Sequence, residues 1–171
     1  AKLRQEGQSV IALNSGEPDF NTPPPIIEAA HQAMLSGKTK YTQTPGIPEL
    51  RDAIARKFGR DNQLIYSAEE IIVSTGAKYA LTNTFMALCD PGDEVIIPTP
   101  CWVSYVEMVK LAGAIPVLVP VHPDNQLDME AIEQAITTRT KILLLNSPNN
   151  PTGAVYPKKS LARAAELALA H

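Results

Sequence analysis

The chain has 171 residues, of which 44% are hydrophobic and 19% are charged, and its formal net charge is −3. This length suits one domain with a hydrophobic core, and the charge balance supplies no basic surface for nucleic acid. No apolar run approaches the roughly 18 residues that would span a bilayer. The two cysteines favour a reducing compartment over a disulfide framework. These totals predict a soluble cytoplasmic protein that binds neither nucleic acid nor membrane.

Both ends of the sequence predict that it belongs to a longer chain, called the parent chain below. The opening AKLRQEGQSV is typical of the tail of a charged helix, and it lacks the apolar centre of a signal peptide. The closing KKSLARAAELALAH is typical of an amphipathic helix without a terminator. An alternating α/β chain normally continues from such a helix into another strand.

The first part of the chain predicts one short strand and two helices. The strand is VIAL, and a loop dense in turn residues, NSGEPDFNTPPP, follows it. Apolar residues at helical spacing predict a helix over 26–35. A second helix is expected to begin at Pro48, because proline suits the first helical turn and Glu49 complements the helix dipole.

From residue 70 onward, apolar runs alternate with amphipathic segments, which predicts an α/β fold. The runs are continuous, so we expect a mostly parallel sheet covered by helices on both faces. Asp128 is expected to cap one of these helices. The predicted strands are IIVS (71–74), EVIIP (94–98), AIPVLVP (114–120) and KILLLN (141–146), and the predicted helices cover 77–89, 102–113, the residues after Asp128 and the C-terminal segment.

Ligands of such sheets bind at the carboxyl ends of the strands, so the loops there are candidates for a site. TGAKYAL follows the first of these strands. Gly76 and Ala77 would let backbone N–H groups approach a phosphate at a helix N-terminus, and Lys78 would add a charge. The alternative is an ordinary strand-to-helix turn with a solvated lysine. No GxGxxG or Walker A pattern is present, so neither a dinucleotide nor a P-loop site is predicted.

The next two loops carry an aromatic ring and an amide. Trp102, the only tryptophan, opens a helix and offers a stacking face for a flat ligand, although for this residue taken alone a core or interface role is the favoured interpretation. In NSPNNPTG, Asn146 and Asn149 are explained as turn residues. Asn150 is held between Asn149 and Pro151 and is the better candidate for a fixed donor. Together the three loops predict a site for a flat, phosphorylated aromatic cofactor.

Five segments then resemble, in order and spacing, the class I and II aminotransferases, which are fold-type I enzymes dependent on pyridoxal 5'-phosphate. The segments are SGEPDF, KYTQTPGIPELRDAI, STGAKYAL, DPGDEVIIPTPCWVSY and NSPNNPTGAVY. Within this family the chain is most similar to bacterial aspartate aminotransferases. The resemblance implies transamination of an L-amino acid, aspartate in the first place, with a 2-oxo acid such as 2-oxoglutarate.

The resemblance also implies roles for individual residues. Gly76, Ala77 and Lys78 would lie at the cofactor phosphate. Trp102 would stack on the pyridine ring, and Asn150 would donate to its phenolic oxygen. Trp102 and Asn150 would also border the substrate.

Two residues of the N-terminal part have implied roles as well. Gly16 would contact the substrate carboxylate through its backbone, and Tyr41 would reach the cofactor phosphate of the neighbouring subunit in a homodimer. Cys101 departs from the family, which usually has tyrosine there. We expect residues 1–22 to contribute the substrate loop and a piece of the small domain, and 23–171 to form an incomplete large domain.

The family's catalytic lysine, which forms the Schiff base with the cofactor, matches no lysine of this sequence. No residue here is therefore assigned a catalytic role, and the 171-residue chain alone is expected to be inactive. Two alternatives stay open: another fold-type I enzyme, such as a β-lyase or synthase, and a non-catalytic binding or dimerisation module. A metal enzyme is not favoured, since the three histidines have no ligand spacing.

Overall fold

The computed structural model describes residues 2–11 and 16–171. The chain divides into two compact units, Ala1–Gln43 and Thr44–His171. The predicted domain boundary between residues 22 and 23 stays a prediction. None of the helices in the described part of the chain is long and apolar enough to cross a membrane.

The first unit contains helices α1 (Lys2–Gln5) and α2 (Pro24–Leu35). Helix α2 confirms the helix predicted over 26–35 and begins two residues earlier, at a proline, because the first turn needs no backbone donor there. The predicted strand VIAL lies partly outside the described residues, and its first two residues form no strand.

The second unit contains the parallel sheet and its helices. Helix α3 begins at Pro48, as predicted, and Asp128 caps α6 by accepting a hydrogen bond from the Ala131 N–H at 2.9 Å. The elements are α3 (Pro48–Lys57), a π-helical turn (Phe58–Asn62), a 3-10 turn (Ala68–Glu70), α4 (Gly76–Leu88), β1 (Glu94–Thr99), α5 (Ser104–Leu111), β2 (Ile115–Pro120), α6 (Met129–Gln134), β3 (Thr140–Leu143) and α7 (Lys158–Ala170).

The three strands lie in the order β2-β1-β3, and both pairings are parallel. The central strand β1 is buried on both faces, since Val95 and Ile97 point into one core cluster and Ile96 into another. Helices α4 and α5 cover the first face, and α6 and α7 cover the second. The predicted α/β class with helices on both faces is therefore confirmed.

One predicted strand does not form. Residues 71–74, IIVS, are not assigned to a strand, although the Val73 N–H donates to the Pro45 carbonyl at 2.9 Å. A strand needs a hydrogen-bonded neighbour along its length, and this segment has no such partner among the described residues. The apolar run predicts that the whole segment is buried, but only part of it is: Ile71 is buried, whereas Ile72 is exposed.

A buried carboxylate joins β1 to the turn before β3. The Thr137 hydroxyl donates to Glu94 Oε2 at 2.6 Å, and Arg139 Nε donates to Glu94 Oε1 at 3.0 Å. The hydrogen bond from Thr137, followed by that from Arg139, holds the pKa of the Glu94 carboxyl below its ordinary value. This cluster lies at the amino end of β1, opposite the loops predicted to form the site.

Acid is expected to remove the stabilisation that this cluster provides. Because the pKa is lower in the folded state, the contribution is complete above the unfolded-state pKa, about 4.3. It is lost as the pH falls through the lower folded-state pKa. Urea unfolding of the Glu94→Gln variant should therefore show a lower midpoint at neutral pH and a flatter decline in acid. Glu107→Gln, which removes an exposed partner of Lys110, is the control; equally steep acid declines in Glu94→Gln and wild type would contradict the assignment.

Candidate functional site

The turn into α4 is set by Gly76, which has a φ of +79°. Its N–H donates to the Ser74 carbonyl at 2.8 Å, and a Cβ at this position would meet nothing within 4 Å. Glycine is therefore needed here for its backbone conformation. Thr75 makes no side-chain capping bond, and the first turn of α4 carries no acidic residue. The positive end of this helix dipole consequently stays available for an anion.

Lys78 and Trp102 come together although they are far apart in the sequence. The Lys78 ammonium lies over the indole of Trp102, with its Nζ 5.0 Å from the ring centroid. Tyr105 packs against the same indole edge-on, at 5.4 Å between centroids and an interplanar angle of 87°. Such a cation–π contact is worth about 0.5–1 kcal/mol at an exposed site. The indole is thus held between a cation and a buried ring.

The loop after β3 is shaped by its own asparagines. The Asn150 N–H donates to Asn146 Oδ1 at 2.8 Å, which is the turn role predicted for Asn146. The Gly153 N–H donates to the Asn149 carbonyl at 2.7 Å. Asn150 is exposed, and its side-chain amide makes no hydrogen bond within the described residues. That amide is therefore available to a ligand.

Asn149 connects this loop to the loop after β1. Its Nδ2 donates to the Pro100 carbonyl at 3.1 Å and to Thr152 Oγ1 at 2.9 Å. Asn149 is 8% exposed, although the residues on either side of it, Pro148 and Asn150, are exposed. The first of these bonds therefore joins the segment that carries Trp102, at Pro100, to the segment that carries Asn150, at Asn149.

An open groove of about 680 Å³ is lined by Lys78 together with Thr75, Tyr79, Thr82 and Leu111. Burial raises the pKa of the Cys101 thiol. It also raises that of the Tyr105 phenol, to which Cys101 adds a smaller contribution. Both groups therefore stay neutral at physiological pH, and Lys78 carries the positive charge in this part of the site.

The predicted site residues fall in both units. Lys78, Trp102 and the Asn150 loop belong to the second unit and are linked by the contacts above, and Gly76 and Ala77 open the helix that carries Lys78. Gly16 and Tyr41 belong to the first unit, where both are exposed. The ligand-binding roles of all these residues stay predictions.

Two residues that shape the site were missed by the sequence reasoning. Tyr105 supports the indole, and its position three residues after Trp102 is the only signal, since residues at this spacing share a helix face. Asn149 was assigned only a turn role. Two adjacent asparagines between prolines give no indication of which side chain turns inward.

A family model described as aminotransferase class I and II matches residues 8–171. The probable aspartate/prephenate aminotransferase of Thermus aquaticus is 54% identical over 172 residues, covering 99% of this chain and 45% of that protein. The aspartate aminotransferase of Geobacillus stearothermophilus is 51% identical, covering 99% of this chain and 44% of that protein.

The solved structure of the aspartate aminotransferase from Thermus thermophilus with maleate aligns with a TM-score of 0.94 at 53% identity. This alignment covers 99% of the chain and 45% of the solved chain. The 171 residues thus span less than half the length of the relatives they match. The predicted resemblance is confirmed, and the chain belongs to the class I and II aminotransferases.

Proposed function

We propose that the parent chain transfers the amino group of an L-amino acid, aspartate in the first place, to a 2-oxo acid such as 2-oxoglutarate, with pyridoxal 5'-phosphate as cofactor. The observation that carries this proposal is the pairing of Lys78 and Trp102, 5.0 Å apart, beside the N-terminus of α4. This pairing puts a cation, an aromatic plane and an uncapped helix start in one place. A flat ring that bears a phosphate is the ligand that needs all three.

The residues present fit such a cofactor. The uncapped start of α4, with Gly76, Ala77 and Lys78, suits a phosphate because the helix dipole and the ammonium both favour an anion. The partly buried indole of Trp102 offers a stacking plane. Asn150 has a side-chain amide available to donate to a phenolic oxygen. Three different groups of the cofactor would therefore each have a matching partner.

Pyridoxal phosphate supplies the electron sink for chemistry at the amino-acid α-carbon, and the protein supplies orientation and electronic tuning. In this chain, Trp102 would fix the plane of the ring and the α4 N-terminus would anchor its phosphate. The Asn150 amide would stabilise negative charge on the phenolic oxygen by hydrogen bonding. The lysine that holds the cofactor covalently would come from the remainder of the parent chain.

The preference for aspartate is supported by the names of the relatives and by charge. The similar proteins from Thermus aquaticus and Geobacillus stearothermophilus are named for aspartate, and the aspartate aminotransferase from Thermus thermophilus was solved with maleate, a dicarboxylate. Lys78 lines the groove beside Trp102, so its ammonium would meet either the cofactor phosphate or an acidic substrate group. Gly16 would contact the substrate α-carboxylate through its backbone.

The proposal extends to assembly and location. Tyr41 is exposed, and it would reach the cofactor phosphate of the neighbouring subunit in a homodimer. A cytoplasmic location agrees with two cysteines that are both free, because disulfides are rare in reducing compartments.

Transfer of isotope tests the reaction type. The parent chain, incubated with pyridoxal phosphate, ¹⁵N-aspartate and 2-oxoglutarate, should produce ¹⁵N-glutamate and oxaloacetate without release of ammonium. A second reaction offers a β-substituted amino acid instead of aspartate. If it releases ammonium, and if no label passes from aspartate to glutamate in the first reaction, a β-lyase is favoured. Absence of both products, together with absence of cofactor binding, would favour a non-catalytic module.

The 171-residue chain by itself tests whether the catalytic lysine lies in the remainder of the parent chain. It should give no turnover, and borohydride treatment after incubation with pyridoxal phosphate should leave no stoichiometric adduct on any lysine. Peptide mass mapping locates such adducts. A single modified lysine together with turnover would contradict the assignment of the catalytic lysine to the remainder of the parent chain.

A further inference from the structure

Asn149 differs from the residues around it because its side chain is buried. It is 8% exposed, whereas Pro148, Asn150 and Pro151 are exposed. A buried amide needs hydrogen-bond partners, since an unpaired one loses the partners it had in water. The hydrogen-bond partners of Asn149 are informative, because one of them, the Pro100 carbonyl, lies in another loop.

The two bonds of the Asn149 amide do different things. The bond to Thr152 Oγ1, 2.9 Å long, stays within the loop. The bond to the Pro100 carbonyl, 3.1 Å long, spans 49 positions of sequence and joins the loop after β3 to the loop after β1. Only the second bond fixes one loop relative to the other.

Each end of this connection lies next to a predicted cofactor contact. Pro100 precedes Cys101 and Trp102, whose indole is already supported by Lys78 and Tyr105. On the other side, Asn150 follows Asn149 directly, and its N–H is held by Asn146. Trp102 is thus supported from α4 and α5, Asn150 is supported within its own loop, and the Asn149 bond joins the two loops.

We propose that Asn149 is a positioning residue that sets the distance between the stacking face of Trp102 and the amide of Asn150 through its hydrogen bond to the Pro100 carbonyl. The proposal rests on the proposed function, because it assumes that Trp102 and Asn150 contact one cofactor. A ligand that must meet both residues binds best when their spacing is already correct. Loss of the bond should therefore weaken binding although Asn149 touches no cofactor atom.

The decisive variant is Asn149→Asp in the parent chain. Aspartate keeps the shape of the side chain and can accept a hydrogen bond from the Thr152 hydroxyl in place of the one that Asn149 donates to it, but its carboxylate cannot donate to the Pro100 carbonyl. Thr152→Val makes the complementary change, because it removes the bond within the loop and leaves the bond to Pro100. Thr137→Val, at the opposite end of the strands, is the control for a general loss of stability.

The first measurement needs no cofactor. The protein is labelled with 5-fluorotryptophan, and the ¹⁹F resonance of residue 102 is assigned by its loss in Trp102→Phe. In the cofactor-free protein, Asn149→Asp should shift or broaden this resonance, and Thr137→Val should leave it unchanged. Thr152→Val should perturb it less than Asn149→Asp does, and Thr152→Ser should restore the wild-type signal.

The second measurement uses bound pyridoxal phosphate. Asn149→Asp should raise its dissociation constant about 3- to 10-fold, on the scale of one lost hydrogen bond. The pH profile of the cofactor's visible absorption should move in the direction that Asn150→Ala moves it. Thr137→Val should change neither quantity.

The possible failures are distinguishable. If Asn150→Ala and Trp102→Ala weaken cofactor binding while Asn149→Asp behaves as wild type, the positioning role is wrong and the proposed function stands. If none of these variants changes cofactor binding, the proposed site itself is wrong. Should Asn149→Asp not fold, Asn149→Ala decides, because it also removes the bond to the Pro100 carbonyl; an unchanged resonance of residue 102 in that variant overturns the proposal.

Discussion

Replacing Gly46 with alanine is expected to lower the free energy of unfolding by about 2–5 kcal/mol. The residue has a φ of +105°, and an added Cβ would lie 2.6 Å from Val73 Cγ2 and 2.9 Å from Val73 Cβ. The backbone conformation alone costs a non-glycine residue about 1–2 kcal/mol, and overpacking adds about 1–3 kcal/mol. Val73 cannot turn aside easily, because its β-branched side chain has few allowed rotamers.

Gly113→Ala is the matched control for this prediction. Gly113 also has a positive φ, +79°, but its added Cβ would make an ordinary 3.6 Å contact with Pro91. It should therefore lose only the backbone part, about 1–2 kcal/mol. Urea unfolding of both variants measures the difference, and equal losses would show that the collision with Val73 carries no cost.

The double variant Gly46→Ala, Val73→Ala tests the collision directly. Removing the Val73 methyl groups eliminates the 2.6 Å approach but leaves the Cβ of residue 73, so part of the loss should be recovered. A coupling free energy between the two substitutions is expected because the residues are in contact. Strict additivity would contradict the steric explanation.

Replacing Trp102 with alanine is expected to weaken binding of pyridoxal phosphate to the parent chain about 10- to 100-fold. Stacking of an aromatic ligand on an aromatic side chain is worth about 1–3 kcal/mol, and 1.4 kcal/mol corresponds to a factor of ten in affinity. The loss should be large because Lys78 and Tyr105 hold the indole in place before the ligand arrives. Equilibrium titration of the cofactor-free protein measures the dissociation constant.

Two further variants separate stacking from general damage. Trp102→Phe keeps an aromatic face and should recover a large part of the affinity. Tyr66→Ala disrupts another edge-on aromatic pair, that of Phe58 and Tyr66, outside the site, and should leave the dissociation constant unchanged. An unchanged dissociation constant in Trp102→Ala would remove Trp102 from the cofactor site.

Much of the fold follows from local patterns. The runs EVIIP and AIPVLVP are apolar and continuous, so both were predicted as strands and both form, at Glu94–Thr99 and Ile115–Pro120. Asp128 as a helix cap was equally predictable, because capping depends on neighbours within one turn. The run IIVS is also largely apolar but forms no strand, since pairing depends on a partner elsewhere in the chain.

The position of the site in the fold was predictable to a similar extent. The rule that ligands bind at the carboxyl ends of parallel strands identified the three loops, and the contact between Lys78 and Trp102 joins two of them. The function of Asn149 was not predictable, because its partner is the Pro100 carbonyl 49 positions away. A turn motif indicates that a chain reverses but leaves open which side chain is buried.

The sequence by itself determined the α/β class, the glycine-led turn into α4 and the family, because each depends on residues close together or on motifs in a given order. Only the tertiary structure decided that Asn149 turns inward while Asn150 is exposed, and that Lys78 lies over Trp102. The physical reason is the range of the interactions. Turn chemistry and hydrophobic periodicity act within a few residues, whereas these contacts form only when the strands have paired and brought their loops to one edge.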